Sequence, residues 1–305
     1  MHQNKLRNAK LALREVVAAF LIFSGIPALV NAVIRRGRAT IVLYHDPSPE
    51  VLERHLQFLK RRYRIITLDQ LLDELDEPLQ RTSDKPSLVI TIDDGHAGNV
   101  NLLPVLSRHG VCATLYVCSA IVGTQRQYWW QAARENGLDV ESLKNLSTEG
   151  RLARLAHVGW QKDHNAGCRS ALSADELKAL KPFVSLQSHT RFHPTLTGCD
   201  DQLLETETFL SRREVEELSG EPCMHFAYPD GSYDERIVDC VRRGGYRSAR
   251  TCDVGWIDFR TDRYRLRCMP IADDASPNWL IVQLAGLSKY LLYLRAGSFL
   301  GRCPQ

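Results

Sequence analysis

Four polar clusters in this 305-residue chain each follow a short apolar run that is typical of a buried strand. In a parallel α/β sheet, functional groups gather just beyond the carboxyl ends of the strands, so these clusters are expected to meet at one edge. One Asp-Asp-Gly or one His-x-x-x-His alone is weak evidence, because each often marks a turn or a surface pair. Four together indicate a catalytic site. The clusters are Tyr44-His45-Asp46, Asp93-Asp94-Gly95, His189 with His193, and Tyr228-Pro229-Asp230-Gly231.

His189 and His193, with one carboxylate of the Asp93-Asp94 pair, form the donor set of a catalytic metal site. Two imidazoles and a carboxylate leave coordination positions open for water and substrate, whereas structural zinc sites fill all of theirs. Successive strand residues point to opposite sides, so one carboxylate can reach the metal while its neighbour turns toward the bound water. A metal lowers the pKa of such a water to about 7, and a nearby carboxylate can then take its proton.

Segments typical of strands and of helices alternate along most of the chain. Apolar runs predict strands at 39–44, 64–67, 87–92, 112–118, 184–187, 224–228 and 246–251. Amphipathic segments predict helices at 50–62, from 69, and at 99–109, 173–181, 201–219 and 234–243. This alternation predicts a mostly parallel sheet, open or closed into a barrel. Residues 125–169 do not follow it and are predicted to form an insertion over one face.

Three of the clusters lie in segments that resemble the motifs of a known family. LVITIDDGHAGN (88–99) resembles T-F-D-D-G, SHTRFHPTL (188–196) resembles H-[ST]-x-x-H, and FAYPDGSYDERI (226–237) resembles a segment that usually reads R-P-P-Y-G. These are motifs of the polysaccharide deacetylases, the family-four carbohydrate esterases. The resemblance covers roughly residues 39–275 and only loosely the insertion.

The resemblance implies an α/β fold, a distorted, incomplete (β/α) barrel with parallel strands. It implies removal of an N-acetyl or other acyl group from a carbohydrate, by attack of a metal-bound water on the acyl carbonyl. The expected substrates are acetylated polysaccharides or oligosaccharides, and the expected cofactor is a divalent metal, with Zn²⁺ the first choice. The roles implied are general base for Asp93, metal ligands for Asp94, His189 and His193, support of the histidine loop for Thr190, and oxyanion or substrate binding for Tyr228, Pro229, Asp230 and Gly231.

The chain departs from the family pattern in three places. The arginine that usually steadies the base is replaced by Ala227, and the sequence shows no substitute for it. Asp230 stands where the family has tyrosine, although a backbone donor survives that exchange. The late Leu-x-His motif is absent, but Leu43-Tyr44-His45 has its pattern, so His45 is predicted to be the general acid; its alternative role is to end its strand.

Composition and charge exclude some partners and give a prediction of location. Lys and Arg exceed Asp and Glu by only 39 − 36 = 3, so nothing indicates a nucleic-acid partner. The nine cysteines are scattered, without a C-x-x-C pair, which favours a reducing compartment over a disulfide framework.

The N-terminal 38 residues predict contact with a membrane. An uncharged run at 16–34 is flanked by Lys5, Arg7, Lys10 and Arg14 on one side and by Arg35, Arg36 and Arg38 on the other. The run is slightly short for a span and includes a proline and a glycine, which favours a helix lying at the membrane interface over a buried helix. Residues 1–38 are thus a membrane-associating segment, 39–275 a catalytic domain, and 276–305 an apolar C-terminal helix and tail. The expected location is cytoplasmic, associated with the inner membrane, with the periplasmic face left open.

Two other functions remain alternatives at this stage. One is a deformylase or deacetylase of a lipid-linked sugar at the membrane face, which the N-terminal segment favours. The other is a catalytically inactive carbohydrate-binding homologue, which the missing motif arginine favours. The aromatic triplet Tyr128-Trp129-Trp130 in the insertion either stacks on sugar rings or forms the insertion's own core.

Overall fold

The computed structural model describes residues 2–33, 35, 37–77, 85–167 and 169–289. Several residues named above lie outside this part of the chain. They are residue 34, Arg36, Cys168, Cys303, the C-terminal tail from residue 290, and the side chains of Lys5 and Arg7.

The described residues contain eight strands, and every pair of neighbouring strands is parallel. Seven close into a ring, because β1 pairs with β8 on one side and with β3 on the other. The two-residue β2 pairs only with the first residues of β3. The expected distorted (β/α) barrel with parallel strands is therefore confirmed. The strands are β1 Thr40–Tyr44, β2 Arg64–Ile65, β3 Ser87–Ile92, β4 Ala113–Val117, β5 Val184–Ser188, β6 His225–Ala227, β7 Ser248–Val254 and β8 Leu266–Pro270.

The strands that hold the barrel together are buried on both faces. Every residue of β1, β3 and β4 is buried, which explains why these segments read as continuous apolar runs and not as an alternating pattern. Seven strands were predicted from the sequence, and β8 was missed. Its five residues include an exposed Arg267 and end in Pro270, which disfavours a strand interior.

Helices cover the outside of the barrel. The capping box predicted at Ser173 is present, since Ser173 Oγ accepts from Glu176 N and Glu176 Oε2 accepts from Ser173 N. The thirteen helices of the described residues are α1 His2–Phe23, α2 Ile26–Val33, α3 Pro49–Arg62, α4 Leu68–Asp76, α5 Leu103–His109, α6 Trp129–Glu135, α7 Val140–Lys144, α8 Thr148–Ala156, α9 Ala174–Leu180, α10 Asp201–Glu205, α11 Ser211–Ser219, α12 Glu235–Arg243 and α13 Pro277–Leu284.

Two regions differ from simple helix–strand alternation. The segment predicted as one helix at 201–219 is divided into α10, a π-helical turn at Thr206–Leu210, and α11. The irregular segment at 125–169 contains α6, α7 and α8, and a bridge between Arg126 and Asn165 closes its base. Both features contact the site described below.

The N-terminal helix α1 packs against α13. Leu280, Val282 and Leu284 of α13 are buried, so the described part of the C-terminal apolar stretch is a core helix. No single helix among the described residues is both long and apolar enough to cross a membrane. Ala9–Phe23 and Ile26–Val33 meet that measure only as a pair, which is bent by 60°.

Candidate active site

The loops that follow β1, β3, β5 and β6 meet at one end of the barrel. Backbone hydrogen bonds continue from the strands into these loops, with Asp93 N donating to Tyr44 O and His189 N donating to Val117 O. All four sequence clusters therefore begin at the same rim. The position of each cluster follows from the strand that precedes it.

Asp94, His189 and His193 come together as a candidate metal-ligand cluster. One ligand atom from each lies within 4.8 Å of the others, and all three residues are buried. Asp94 Oδ1 is 3.5 Å from His189 Nε2 and 3.6 Å from His193 Nε2. This oxygen accepts no hydrogen bond within the described chain, so a buried acceptor faces two imidazoles. Such an arrangement fits a small divalent cation.

Both histidines can present a lone pair to a cation. His189 Nδ1 lies 2.8 Å from Ala227 O, and because a carbonyl only accepts, Nδ1 carries the proton and Nε2 is free to bind. Burial lowers the pKa of His193 to about 4, although the charge of Asp94 acts in the opposite direction. His193 is therefore neutral at pH 7, the form that ligates metals.

His96 is a site residue that the sequence motifs did not single out. Its Nε2 is 3.0 Å from Asp94 Oδ2, so it holds the second oxygen of the Asp94 carboxylate. Burial alone would raise the pKa of Asp94, but the hydrogen bond from His96 and the proximity of His193 and His189 lower it well below its usual range. Its place directly after Asp-Asp-Gly was the only signal available. Carboxylates and histidines in such contacts orient the ligands of metal sites.

Asp93 is held by Arg250, which corrects the expectation that the motif arginine has no substitute. Arg250 Nη2 donates to Asp93 Oδ2, and the two residues are 0% and 2% exposed. The Arg250 guanidinium also lies 5.3 Å from the centre of the Tyr116 ring. Asp93 Oδ1 has no hydrogen-bond partner in the described chain and remains available to accept a proton.

The position of Arg250 explains how it replaces the missing arginine. Its Cα is the register partner of Ala227, so the two positions are neighbours on the adjacent strands β6 and β7. The guanidinium that contacts Asp93 thus comes from β7, the strand next to β6, at the same register position. Only the strand pairing reveals this, because Arg250 and Asp93 are 157 residues apart in sequence.

The histidine loop is fixed by its own threonine and by a buried glutamate. Thr190 Oγ1 accepts from His193 N at 3.0 Å. Glu207, from the π-helical turn, accepts from Arg191 N at 2.8 Å and from Phe192 N at 2.9 Å. π-helical turns are frequent at functional sites, and here the turn carries Glu207 into contact with the loop that bears the candidate ligands His189 and His193.

The aromatic triplet of the insertion packs against the ligand loops. Tyr128, Trp129 and Trp130 are all buried, so they offer no face for stacking on a sugar. Tyr128 Oη donates to Asp94 O at 2.8 Å, and Trp129 Nε1 donates to His193 O at 3.0 Å. The Trp130 and His193 rings lie 4.6 Å apart, edge to face. The triplet therefore supports the candidate ligands Asp94 and His193.

The third motif forms a tight turn beside His193. Asp230 has a φ of 57° and forms a 3.0 Å ion pair with Lys144 Nζ of the insertion. Gly231 has a φ of 65°, and a Cβ there would lie 2.5 Å from Cys252 Cβ, so only glycine fits. Tyr228 Oη donates to Tyr264 O, which directs the tyrosine hydroxyl away from the site, and Pro229 is buried.

His45 lies at the end of β1 in a loop that is clamped by Asp273. Asp273 accepts from His45 N at 3.1 Å and from Asp46 N at 3.0 Å, and Asn99 Nδ2 donates to His45 O at 2.9 Å. The His45 side chain is half-buried, and its imidazole makes no hydrogen bond within the described residues. Asp273 was not foreseen, because it follows the strand that was missed.

A polar cavity of about 410 Å³ lies next to His96 on the side of the insertion. Its other walls include Asp46, Gly98, Gln127, Gln131, Arg134 and Arg169.

Comparison with known proteins gives the family. A family model described as "Polysaccharide deacetylase" matches residues 80–249, more than half of the chain. This chain belongs to the polysaccharide deacetylase family. The Bacillus subtilis (strain 168) protein "Putative polysaccharide deacetylase YxkH" is 23% identical over 191 residues, which are 61% of this chain and 53% of that protein. The chain thus matches about half the length of this curated relative.

Solved structures support the fold. The Streptococcus pyogenes deacetylase PplD, solved in complex with acetate, aligns with a TM-score of 0.60 at 18% identity, over 81% of this chain and 98% of that one. IcaB from Ammonifex degensii aligns with a TM-score of 0.57 at 16% identity, over 83% and 97%. At these identities the likeness concerns the barrel alone.

The candidate ligands lie in the segments that resemble the first two motifs of the family. Asp93, Asp94, His189 and His193 occupy the positions of the first two motifs. The arginine contact to Asp93 comes from β7, through Arg250. Seven cysteines of the described chain are all free thiols, and the compartment remains a prediction.

Proposed function

We propose that this protein is a metal-dependent hydrolase that removes an N-acetyl, or another acyl, group from a carbohydrate. The observation that carries the proposal is the convergence of Asp94, His189 and His193, with the Asp93 carboxylate fixed beside them by Arg250. Membership of the polysaccharide deacetylase family supports the reaction class.

Asp94, His189 and His193 would hold the metal. Zn²⁺ is our first choice, because two imidazoles and one carboxylate form a donor set that zinc accepts while it keeps positions open. A divalent ion bound here would polarise the acyl carbonyl and activate water. His96 and Ala227 O would keep the ligand atoms of Asp94 and His189 turned toward the ion.

Asp93 is proposed as the general base. Its Oδ2 is held by Arg250 and lies 3.7 Å from His189 Nε2, so the carboxylate stands at the metal cluster. Its Oδ1, buried and without a partner in the described chain, would accept the proton of the attacking water. Arg250 does not touch substrate in this scheme. It acts by orienting Asp93.

His45 is proposed as the general acid that protonates the leaving amine. The Asp273 clamp on the backbone of His45 and Asp46 fixes the loop while the half-buried imidazole faces no competing partner in the described residues. The turn from Tyr228 to Gly231 is proposed to supply a backbone N–H to the oxyanion. The ion pair between Lys144 and Asp230 would hold that turn in place.

The proposed substrate is an acetylated polysaccharide or oligosaccharide. The cavity beside His96 offers a carboxylate, amides and guanidinium groups that can bind sugar hydroxyls, and its volume of about 410 Å³ lies within the usual range of ligand pockets. Arg250 supports an active enzyme over the alternative of an inactive binding homologue, because the missing motif arginine was the main ground for that alternative. A lipid-linked sugar is the second candidate substrate, favoured by an exposed apolar face on α1 and α2.

The test is acetate release from N-acetylated oligosaccharides and from a small acetyl ester. Zinc-loaded wild type would be compared with Asp93→Asn and with Asp239→Asn, a control that changes an exposed aspartate of α12. We expect turnover by the wild type and the control, and a loss of at least about 10² in the Asp93 variant. A metal-loaded wild type that releases no acyl group from free or lipid-linked sugars would refute the proposal.

A further inference from the structure

The N-terminal helices present a row of large apolar side chains to solvent. On α1 these residues follow helical spacing, and on α2 they continue the same run, with exposed fractions between 42% and 91%. Large apolar side chains exposed in such a group mark an interaction site. The α1–α2 apolar face consists of Leu13, Val16, Phe20, Phe23, Ile26, Leu29 and Val33.

The opposite side of α1 is attached to the catalytic domain by polar contacts. Arg14 donates to Asp274 Oδ1 at 2.7 Å and to Asp274 O at 2.8 Å, and Ser276 Oγ donates to Glu15 Oε2 at 2.7 Å. The Arg14 guanidinium also lies 5.6 Å from the centre of the Trp279 ring. The orientation of the apolar face relative to the barrel is therefore set by named contacts.

The same contacts connect α1 to the rim of the active site. Asp273 accepts from the backbone of His45 and Asp46, and its neighbour Asp274 accepts from Arg14. Two consecutive carboxylates thus join the loop of the proposed general acid to the helix that carries the apolar face. A surface that binds the α1–α2 apolar face would therefore also fix the position of the His45 loop relative to that surface.

We propose that the α1–α2 apolar face docks on an anionic lipid bilayer and so places the active site beside sugars held at that surface. Charge favours a bilayer over other apolar partners. Residues 1–38 contain seven Lys or Arg and one Glu, a net charge of 7 − 1 = +6, whereas the whole chain has +3, so the remainder carries −3. Cations that flank an apolar run in the sequence are typical of interfacial membrane helices.

The helices lie on the bilayer and do not cross it. Arg14 and Glu15 lie within α1, where a spanning helix would place them in hydrocarbon. The 60° bend between the two helices likewise suits a surface position. The lipid-held substrate is the part of this inference that rests on the proposed deacylase function. The docking itself does not.

Vesicle flotation with the full chain tests the docking. Wild type, Val16→Ser/Phe20→Ser/Phe23→Ser and the control Phe259→Ser, a phenylalanine 65% exposed on the catalytic domain, would be mixed with phosphatidylcholine vesicles with and without phosphatidylglycerol. We expect wild type and control to float, more strongly with the anionic lipid, and the triple variant to bind at least about 10²-fold more weakly. Circular dichroism and thermal melting would verify that all three are folded.

Two results would overturn the docking. One is that wild type stays in the unbound fraction with both kinds of vesicle. The other is that wild type is a dimer, the triple variant is a monomer, and neither binds vesicles. That result would assign the α1–α2 apolar face to contact with a second copy of this chain.

Turnover measurements test the second part of the proposal, that docking places the active site beside sugars held at the bilayer surface. The same N-acetylated sugar would be supplied free and coupled to a lipid in the anionic vesicles. We expect wild type to have a kcat/KM at least about tenfold higher on the lipid-held form, and the triple variant to lose this preference while it hydrolyses the free sugar normally. Equal rates on the two forms would overturn the proposed placement, whereas absence of hydrolysis on either form would refute the deacylase function and leave vesicle binding to stand or fall alone.

Discussion

Replacing Arg250 by methionine is expected to cost this protein both stability and catalysis. The guanidinium is fully buried and is the hydrogen-bond donor to the buried carboxylate of Asp93. Methionine fills a similar volume, so the main change is an uncompensated charge in the barrel interior. Breaking a buried ion pair in this way costs about 3–5 kcal/mol. Because Asp93 loses the contact that orients it, kcat is expected to fall by about 10² or more.

Moving the arginine back to β6 separates orientation from general damage. Ala227 is the register partner of Arg250, and both side chains belong to the buried interior. Side chains of register partners lie on the same face of a sheet, about 5 Å apart. In Ala227→Arg/Arg250→Ala the guanidinium therefore starts one strand away and can reach the same carboxylate. We expect this double variant to recover at least about tenfold in kcat over Arg250→Ala.

The assay is kcat and KM for acetate release by zinc-loaded protein, with urea unfolding in parallel. Arg243→Met, which removes an exposed arginine paired with Glu205, is the matched control and should change neither. If Arg250→Met holds its metal and keeps kcat within about threefold of the wild type, Arg250 does not position the base. If stability falls but kcat does not, the ion pair supports only the fold.

Three further predictions concern the metal, the histidine loop and a buried histidine. Removing divalent ions with a chelator should abolish acetate release, and zinc restored at about 100 times its Kd should raise the free energy of unfolding by about 2.7 kcal/mol, measured with urea. Glu207→Ala leaves the N–H groups of Arg191 and Phe192 unpaired, which should cost about 1–3 kcal/mol for each group and weaken zinc binding about 10- to 100-fold in a metal titration. Burial lowers the pKa of His55 from 6.5 to about 4, so the stability that neutral His55 provides is complete above pH 6.5 and is lost as the pH falls toward 4. The difference in unfolding free energy between wild type and His55→Gln should therefore shrink by about 3 kcal/mol across that interval; a constant difference would contradict this.

Most strands of the barrel could be predicted because each buried strand is a short apolar run within its own segment of the sequence. β3 reads as six consecutive buried residues after Pro86, and the predicted strand at 87–92 agrees with Ser87–Ile92 at both ends. β8 was not predicted because the exposed Arg267 interrupts its apolar residues and Pro270 at its end disfavours a strand interior. The π-helical turn was not predicted because a one-residue change in hydrogen bonding leaves the amphipathic pattern of the sequence almost intact.

The candidate site was predictable only as far as its groups are neighbours in sequence. Asp93-Asp94 and the His189–His193 spacing predict the candidate ligand set, because each pair lies within one loop. Arg250 and Asp273 act on residues that are more than 150 positions away, and their roles depend on which strands are adjacent. The sequence shows the missing arginine at Ala227 but cannot show that the register of β6 and β7 places another arginine beside it.

The insertion at residues 125–169 contacts the residues of the site that have a strained backbone. Four residues other than glycine have a positive φ in the described chain, and all four lie in the three motifs. Such conformations cost about 1–3 kcal/mol each and persist only where surrounding contacts enforce them. Three of the four are contacted by the insertion: Tyr128 donates to Asp94 O, Trp129 donates to His193 O, and Lys144 pairs with Asp230. The fourth, Thr190, is held by its own loop. The segment that interrupts the alternation of strands and helices therefore supports the strained loops that carry the candidate metal ligands.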